Sequence, residues 1–276
     1  TGTLTQNKMT VQKIFTNNQL IDVNAIDKEN NLQYKLVIAG LLCSDAITSH
    51  EKEIGDPTEI ALVDLGERLS LDEMIVREIT PRISELPFDS DRKLMTTLQH
   101  IDGKAVVFTK GAMDVLLKRS THIETAEGVR PITQADKDKY NQMNFELANQ
   151  GLRILAFAWK EIDEDTLTFA HEEEMILFGL VAMMDPPRVE SKSAVESCLA
   201  AGIKPIMITG DHKVTASAIA RQIGILKEGD QAIEGTDIEN LSEEELIKLV
   251  PRISVYARVS PEHKIRIVSA WQALGH

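Results

Sequence analysis

The sequence predicts two modules: an α+β module over residues 10–185 and an α/β module over residues 186–276, with residues 1–9 as a short leading segment. Three observations carry this. "KLMTTLQ" and "AVVFTK" flank Asp102-Gly103, a hairpin signal. From Pro186-Pro187 onward strands and helices alternate, which implies a parallel, doubly wound sheet. With 276 residues, 43% apolar and 26% charged, the chain suffices for one large or two ordinary domains.

Taken in order, the Asn-rich stretch 17–35 reads as loops or an exposed strand, and "LVIAGLLCSDA" as a helix. "GDPTEIALVDLGERL" is a strong helix signal: Asp56 as N-cap, Pro57 at N1 and Glu59 at N3 completing a capping box. A helix is expected from Thr133 to a terminating Gly151, and "LRILAFAWK" and "MILFGLVAMM" are expected as core strands. The two prolines at 186–187 form a stiff boundary. Beyond it the expected order is helix ("VESKSAVESCLAAG"), strand ("KPIMIT"), helix ("HKVTASAIARQIG"), acidic helix ("SEEELIKLV"), strand ("ISVYA") and helix ("PEHKIRIVSAWQALG").

Composition excludes several classes. A net charge of −13 argues against non-specific binding to nucleic acid or anionic membrane. It leaves room for an anionic ligand held by a few local cations. The longest apolar run, 175–184, is too short to span a bilayer. No charged-then-apolar leader opens the chain, so a soluble chain without a signal peptide is expected. Cys43 and Cys198 are far apart and read as buried thiols. There is no G-x-x-x-x-G-K-[ST], no G-x-G-x-x-G, no H-E-x-x-H and no Cys/His cluster. The acidic runs "HEEEM" and "SEEEL" read as solvated helix faces.

Three stretches bear residues suited to chemistry. In "PIMITGDHKVTA" a strand ends in Thr209-Gly210-Asp211 before a helix, where a doubly wound sheet presents its ligands. The same pattern also describes an ordinary strand–turn–helix with Asp211 as N-cap. In "ARVSPEHKIRIV", Ser260 and Pro261 open a helix whose first turn holds Lys264. A lysine there opposes the helix dipole, so it suits either a nearby anion or solvent. In "LPFDSDRKLM" and "FTKGAMDVL", Phe88 lies near Arg92 and Lys93, and Lys110 precedes Gly111. An aromatic face beside cations stacks a base and holds phosphates, and Gly111 lets a ligand approach the backbone. The alternative places Phe88 in a core and the cations in water.

In order along the chain, "TGTLTQNKMT", "GDPTEIAL", "LPFDSDRKLM", "KGAMD", "GLRILAFA", "MDPPR", "MITGDHKVTA" and "ARVSPEHKIRIV" resemble the cytoplasmic part of P-type cation-transporting ATPases of type II, nearest the calcium-ATPases. The resemblance spans essentially all 276 residues. It implies a nucleotide-binding domain, an antiparallel sheet with helices, over 10–185. It also implies a truncated haloacid-dehalogenase-like Rossmann phosphorylation domain from 1–9 and 186–276. Glu59, Phe88, Lys93, Lys110, Gly111 and Arg153 match the residues that hold ATP, with Phe88 stacking on adenine, Lys93 and Lys110 lining the adenine and phosphate side, and Arg153 reaching the phosphates. Thr3, Thr209, Gly210 and Lys264 match groups around the transferred phosphoryl. Asp211 and Arg258 match residues supporting nucleotide and domain contacts, and Thr1 matches a backbone carbonyl that ligates Mg²⁺.

The pattern departs from the family at Met113, where proline is frequent, and at Ser90, where calcium pumps often carry arginine. The resemblance places the phosphorylated aspartate two positions before Thr1 and a Gly-Asp-rich magnesium segment after His276. A piece bounded this way is expected to bind ATP without turning it over, and the module after Pro187 is expected to be the less stable one. The parent enzyme would use ATP and Mg²⁺ at the cytoplasmic face of a membrane. Its partners would be its own actuator and transmembrane domains and a transported cation. A haloacid-dehalogenase-like phosphatase with a cap domain and a non-catalytic nucleotide-binding module are the alternatives.

Overall fold

The computed structural model describes residues 2–48 and 53–276. They fall into two compact units, one drawn from Met9–Leu147 and Arg153–Met184, the other from residues 2–8, Ala148–Leu152 and Asp185–His276.

The first unit opens with the hairpin β1 (Thr10–Thr16) and β2 (Gln19–Asp22). Asn17 and Asn18 turn it, both at positive φ (48° and 59°), as a two-residue hairpin turn requires. Helix α1 (Asn31–Leu42) starts under the Asn30 side chain, which accepts the Leu32 and Gln33 N–H groups. Helix α2 (Pro57–Arg68) is capped by Asp56, whose carboxylate accepts the Thr58 N–H at 2.8 Å. The expected capping box does not close. Glu59 accepts instead from the Asp45 N–H (2.8 Å) and from Lys110 Nζ (2.6 Å). A charged partner outcompetes one more backbone amide.

Helix α3 (Glu73–Ile79) leads into the meander β3 (Arg82–Asp89), β4 (Leu94–Ile101) and β5 (Lys104–Gly111). Asp102 (φ 51°) and Gly103 (φ 77°) form the turn between β4 and β5, with Ile101 paired to Lys104. Helix α4 (Met113–Arg119), strands β6 (Ser120–Thr125) and β7 (Gly128–Pro131), helix α5 (Gln134–Asn149) and strands β8 (Arg153–Ile162) and β9 (Met175–Met184) follow. The strands run in the order β2-β1-β9-β8-β5-β4-β3, each neighbour antiparallel. β6 adds to β9 in parallel and pairs β7.

Both faces of this sheet are covered. Val106, Phe108, Met95, Phe178 and Val181 pack with Leu36, Leu41 and Leu62 of α1 and α2. Val107, Leu94, Leu98, Leu177 and Leu180 pack with Leu116 of α4 and Tyr140 of α5. Double coverage explains why "MILFGLVAMM" is apolar without alternation, a pattern more usual in parallel sheets.

The run "HEEEM" is a correction. Glu172 is fully buried (0% exposed) and pairs with Arg92 at 2.9 Å and Arg119 at 3.3 Å, while accepting from Thr96 Oγ1 at 2.7 Å. A carboxylate leaves water only when paired in this way.

In the second unit α6 (Val189–Ala200), α7 (Lys213–Gln222), α8 (Gly235–Glu239), α9 (Glu243–Leu249) and α10 (Pro261–Ala273) accompany a parallel sheet of order β10-β12-β11. Its strands are β10 (Met207–Ile208), β11 (Gln231–Glu234) and β12 (Ile253–Ala257). The expected strand "KPIMIT" shrinks to two residues, and β11 has no counterpart in the sequence reading. Ile253, Tyr256, Ile238, Leu246 and Ile267 make the core. Residues 2–8 lie along 185–191: Thr5 bridges Pro187, Thr5 Oγ1 donates to Asp185 at 2.5 Å, and Ser191 Oγ donates to the Leu4 carbonyl at 2.8 Å. Among the described residues no helix is long and apolar enough to cross a membrane.

Candidate functional site

Within the first unit the start of α2, the end of β3, the end of β5 and the start of β8 surround a cavity of about 370 Å³, within the usual range for small-molecule pockets. Glu59, Phe88, Lys93, Lys110, Gly111 and Arg153 all line it. The structure therefore brings together six residues spread over almost a hundred positions.

Phe88 is 63% exposed, so its ring is not core. β3 is the sheet edge, and the chain turns immediately after it: Asp89 accepts the Asp91 and Arg92 N–H groups, and Lys93 takes φ 58°. Arg92 is a correction to the cationic cluster. Its guanidinium is held by Glu172 and by the carbonyls of Pro87 (2.6 Å) and Leu94 (3.1 Å), stacks 5.3 Å from the Phe169 ring, and does not line the cavity.

Lys110 is 5% exposed and donates to Glu59 (2.6 Å), to Ser44 Oγ (3.2 Å) and to the Cys43 carbonyl. Three acceptors match the three protons of an ammonium. Lys110 is thus a fixed, neutralised wall. The exposed cations of the cavity are Lys93 and Arg153, the latter donating to Thr58 Oγ1 at 2.9 Å.

Gly111 has a packing reason of its own. A Cβ there would lie 2.2 Å from the Lys93 carbonyl oxygen and 3.1 Å from the Leu94 Cα. The close pairing of β4 and β5 therefore demands the glycine. Thr58, Ala112, Ile154 and Leu155 line the cavity as well and were not singled out from sequence. The Asp-Pro-Thr start of α2 was the available signal for Thr58.

In the second unit Thr3, Thr209, Gly210, Asp211 and Lys264 line one cavity of about 720 Å³. Thr209 continues the sheet, its N–H donating to the Tyr256 carbonyl at 2.9 Å, and its hydroxyl donates to Asp211 at 2.8 Å. Asp211 therefore does not cap α7, whose N-cap is His212 without a side-chain bond. A Cβ at Gly210 would meet nothing within 4 Å, so the protein itself does not demand this glycine. Lys264 stands on the first turn of α10, behind the Ser260 cap and Pro261. Arg258, at φ 50°, lies against His212 and does not line the cavity. Cys198 is only half-buried and lines it, whereas Cys43 is buried, which pushes its thiol pKa up.

Thr1, the residue matched to a magnesium ligand, lies outside the described residues. Among the described residues no three His, Cys, Asp or Glu side chains converge as a metal site.

Residues 32–190 match the family model described as "P-type ATPase, cytoplasmic domain N". Over all of its length the chain is 42% identical to "Calcium-transporting ATPase 1" of Bacillus cereus, covering 31% of that protein. It is 44% identical over 99% of its length to "Calcium-transporting ATPase 1" of Lactococcus lactis, covering 31%, and 36% identical over its full length to "Calcium-transporting ATPase" of Bacillus subtilis, covering 34%. The chain spans about a third of the length of the curated relatives it matches. On this similarity, which runs through the cavity-bearing unit, the chain belongs to the P-type ATPases.

Proposed function

We propose that this chain is the ATP-binding cytoplasmic part of a type II, calcium-transporting P-type ATPase. The names of the relatives support the ion, and the 370 Å³ cavity supports the nucleotide. The observation that carries the reading is the largely exposed Phe88 ring on a cavity that also holds two exposed cations, Lys93 and Arg153.

In this reading Phe88 stacks on adenine, and Glu59 and Lys110 fix the polar wall beside it. Gly111 shapes that wall, and Lys93 and Arg153 take the phosphates. In the second unit Thr3, Thr209, Gly210 and Lys264 surround the phosphoryl group as it is transferred, and Asp211 and Arg258 support the nucleotide. The parallel sheet and its helices are read as part of a haloacid-dehalogenase-like phosphorylation domain. Magnesium, held in part by the Thr1 carbonyl, would screen phosphate charge. The open space at Gly210 and the ammonium of Lys264 suit a group carrying negative charge. The whole protein would move the γ-phosphoryl of ATP to an aspartate, hydrolyse that intermediate and couple both steps to ion transport.

Titrating ATP into the chain while recording ¹H–¹⁵N spectra tests the site. Saturable shifts at Lys110, Gly111 and Ala112 are expected. Phe88→Ala should weaken binding roughly 5- to 150-fold, since base–aromatic stacking is worth about 1–3 kcal/mol. Unshifted amides at 110–112, or equal affinity in F88A, would remove the proposal.

A further inference from the structure

Phe88 stands where the edge of the sheet is irregular. Along β3 and β4 the partners run Leu86 with Thr96 and then Asp89 with Leu94, with a break in register between them. Pro87, inside that break, has no N–H to give a ladder. Asp89 closes the turn that follows by accepting the Asp91 and Arg92 N–H groups, and both of those bonds stay within the turn.

Arg92 reaches back across the break. Its Nη2 donates to the Pro87 carbonyl at 2.6 Å and to the Leu94 carbonyl at 3.1 Å. The first carbonyl belongs to the peptide that carries the Phe88 N–H, and the second belongs to β4. One guanidinium nitrogen thus ties the peptide before Phe88 to the body of the sheet. That peptide sets the direction from which the ring projects into the 370 Å³ cavity.

Arg92 is itself aimed by Glu172, 80 residues further on. Its Nε lies 2.9 Å from one Glu172 oxygen and donates to the other at 3.1 Å. Glu172 is 0% exposed and ends the 3₁₀ turn Phe169–Glu172, which a Thr168–His171 capping box closes. It also accepts from the Thr96 hydroxyl on β4 and from Arg119, and it does not line the cavity. Apolar side chains often serve stability as well as a buried ion pair does, so stability alone does not account for this carboxylate. Orienting a guanidinium whose outer donors are already committed does account for it. We infer, on the nucleotide reading of this cavity, that Glu172 is a positioning residue: acting through Arg92, it holds Phe88 in the direction that receives the base.

Two substitutions test this. Arg92→Lys keeps a charge beside Glu172 but gathers its donors on one atom, without the separated Nε and Nη2 positions. Glu172→Gln removes the charge that orients the fork. ¹⁵N relaxation on the full chain without nucleotide reads the segment directly. Amides 88–92 should have order parameters near the rigid-backbone level of about 0.85 in the unsubstituted chain and fall below about 0.6 in R92K, with the β5 and β8 amides unmoved. ATP titration then reads the site. R92K and E172Q should each weaken binding roughly 2- to 12-fold, the cost of ordering one freed side chain on binding. Combined, they should stay within about twofold of either alone, because they act in series. In a Phe88→Ala background R92K should change the affinity by less than about twofold, which a general loss of stability would not produce. R92K carries the test if E172Q does not fold. If the unsubstituted chain fails to bind ATP, the nucleotide reading falls and the relaxation measurement alone decides the positioning. Order parameters at 88–92 that do not change in R92K, or an R92K loss of affinity that persists in full in F88A, overturn the inference.

Discussion

Lys110→Met separates two roles that a lysine on the wall of a cavity can have. The substitution keeps most of the apolar stem and removes the ammonium. Glu59, whose side chain is 13% exposed, would keep the Asp45 N–H and lose its counter-ion. The Cys43 carbonyl and Ser44 Oγ would lose a donor as well. Breaking a buried pair from one side costs about 3–5 kcal/mol. For a unit of this size each kcal/mol moves the midpoint by about 2–4 °C, so K110M should lower it by roughly 6–20 °C. Differential scanning calorimetry on the nucleotide-free chain reads this directly. A cycle with Glu59→Gln sharpens it: E59Q/K110M should be less destabilised than the two single losses together, by about 0.5–3 kcal/mol. A midpoint within about 2 °C of the unsubstituted chain, or an additive cycle, would show that Lys110 is a solvated cation and that its three-way anchorage is wrong.

Two further outcomes can be checked. Gly111→Ala should destabilise by about 1–3 kcal/mol, because its Cβ would overlap the Lys93 carbonyl oxygen. Gly210→Ala, entering open space, should stay within about 1 kcal/mol; urea unfolding of both compares them. Asp136 is held well below the usual carboxylate range, first by Arg130 (2.6 Å) and also by the Thr133 hydroxyl and N–H. Its depressed folded pKa adds stability that is present above the unfolded value of about 3.9 and is lost as pH falls below it. Asp136→Asn should therefore lower the urea midpoint at neutral pH and narrow its gap to the unsubstituted chain below about pH 4.

Local signals were legible because local sterics produced them. Asp102-Gly103 supplies two residues that tolerate positive φ, and a hairpin follows. Asp56-Pro57 and Ser260-Pro261 start helices because their side chains meet orphan amides. The cavity lining was legible for Phe88, Lys93 and Lys110 through the family resemblance, since taken alone an aromatic residue and nearby cations fit a core and solvent equally well. What sequence could not show were pairings between distant residues. Glu172 looks like one glutamate among several, and only Arg92 and Arg119, 80 and 53 residues away, make it a buried ion. Glu59 fits a capping box locally, and Lys110 draws it elsewhere. The edge strand β3 was unread because it contains Pro87 and its apolar residues, Ile83, Leu86 and Phe88, do not fall at every second position.

The pairing of Thr10 with Met184 has a consequence for the whole first unit. Partners across an antiparallel ladder sit about 5 Å apart. The first and last strands of this long stretch therefore present their ends almost touching, although the chain between them passes through the other seven strands of the sheet. A short linker from Met184 to Met9 would close the stretch into a ring with little distortion. New termini opened at the exposed Asp102-Gly103 turn would then yield a circular permutant with the same ladder.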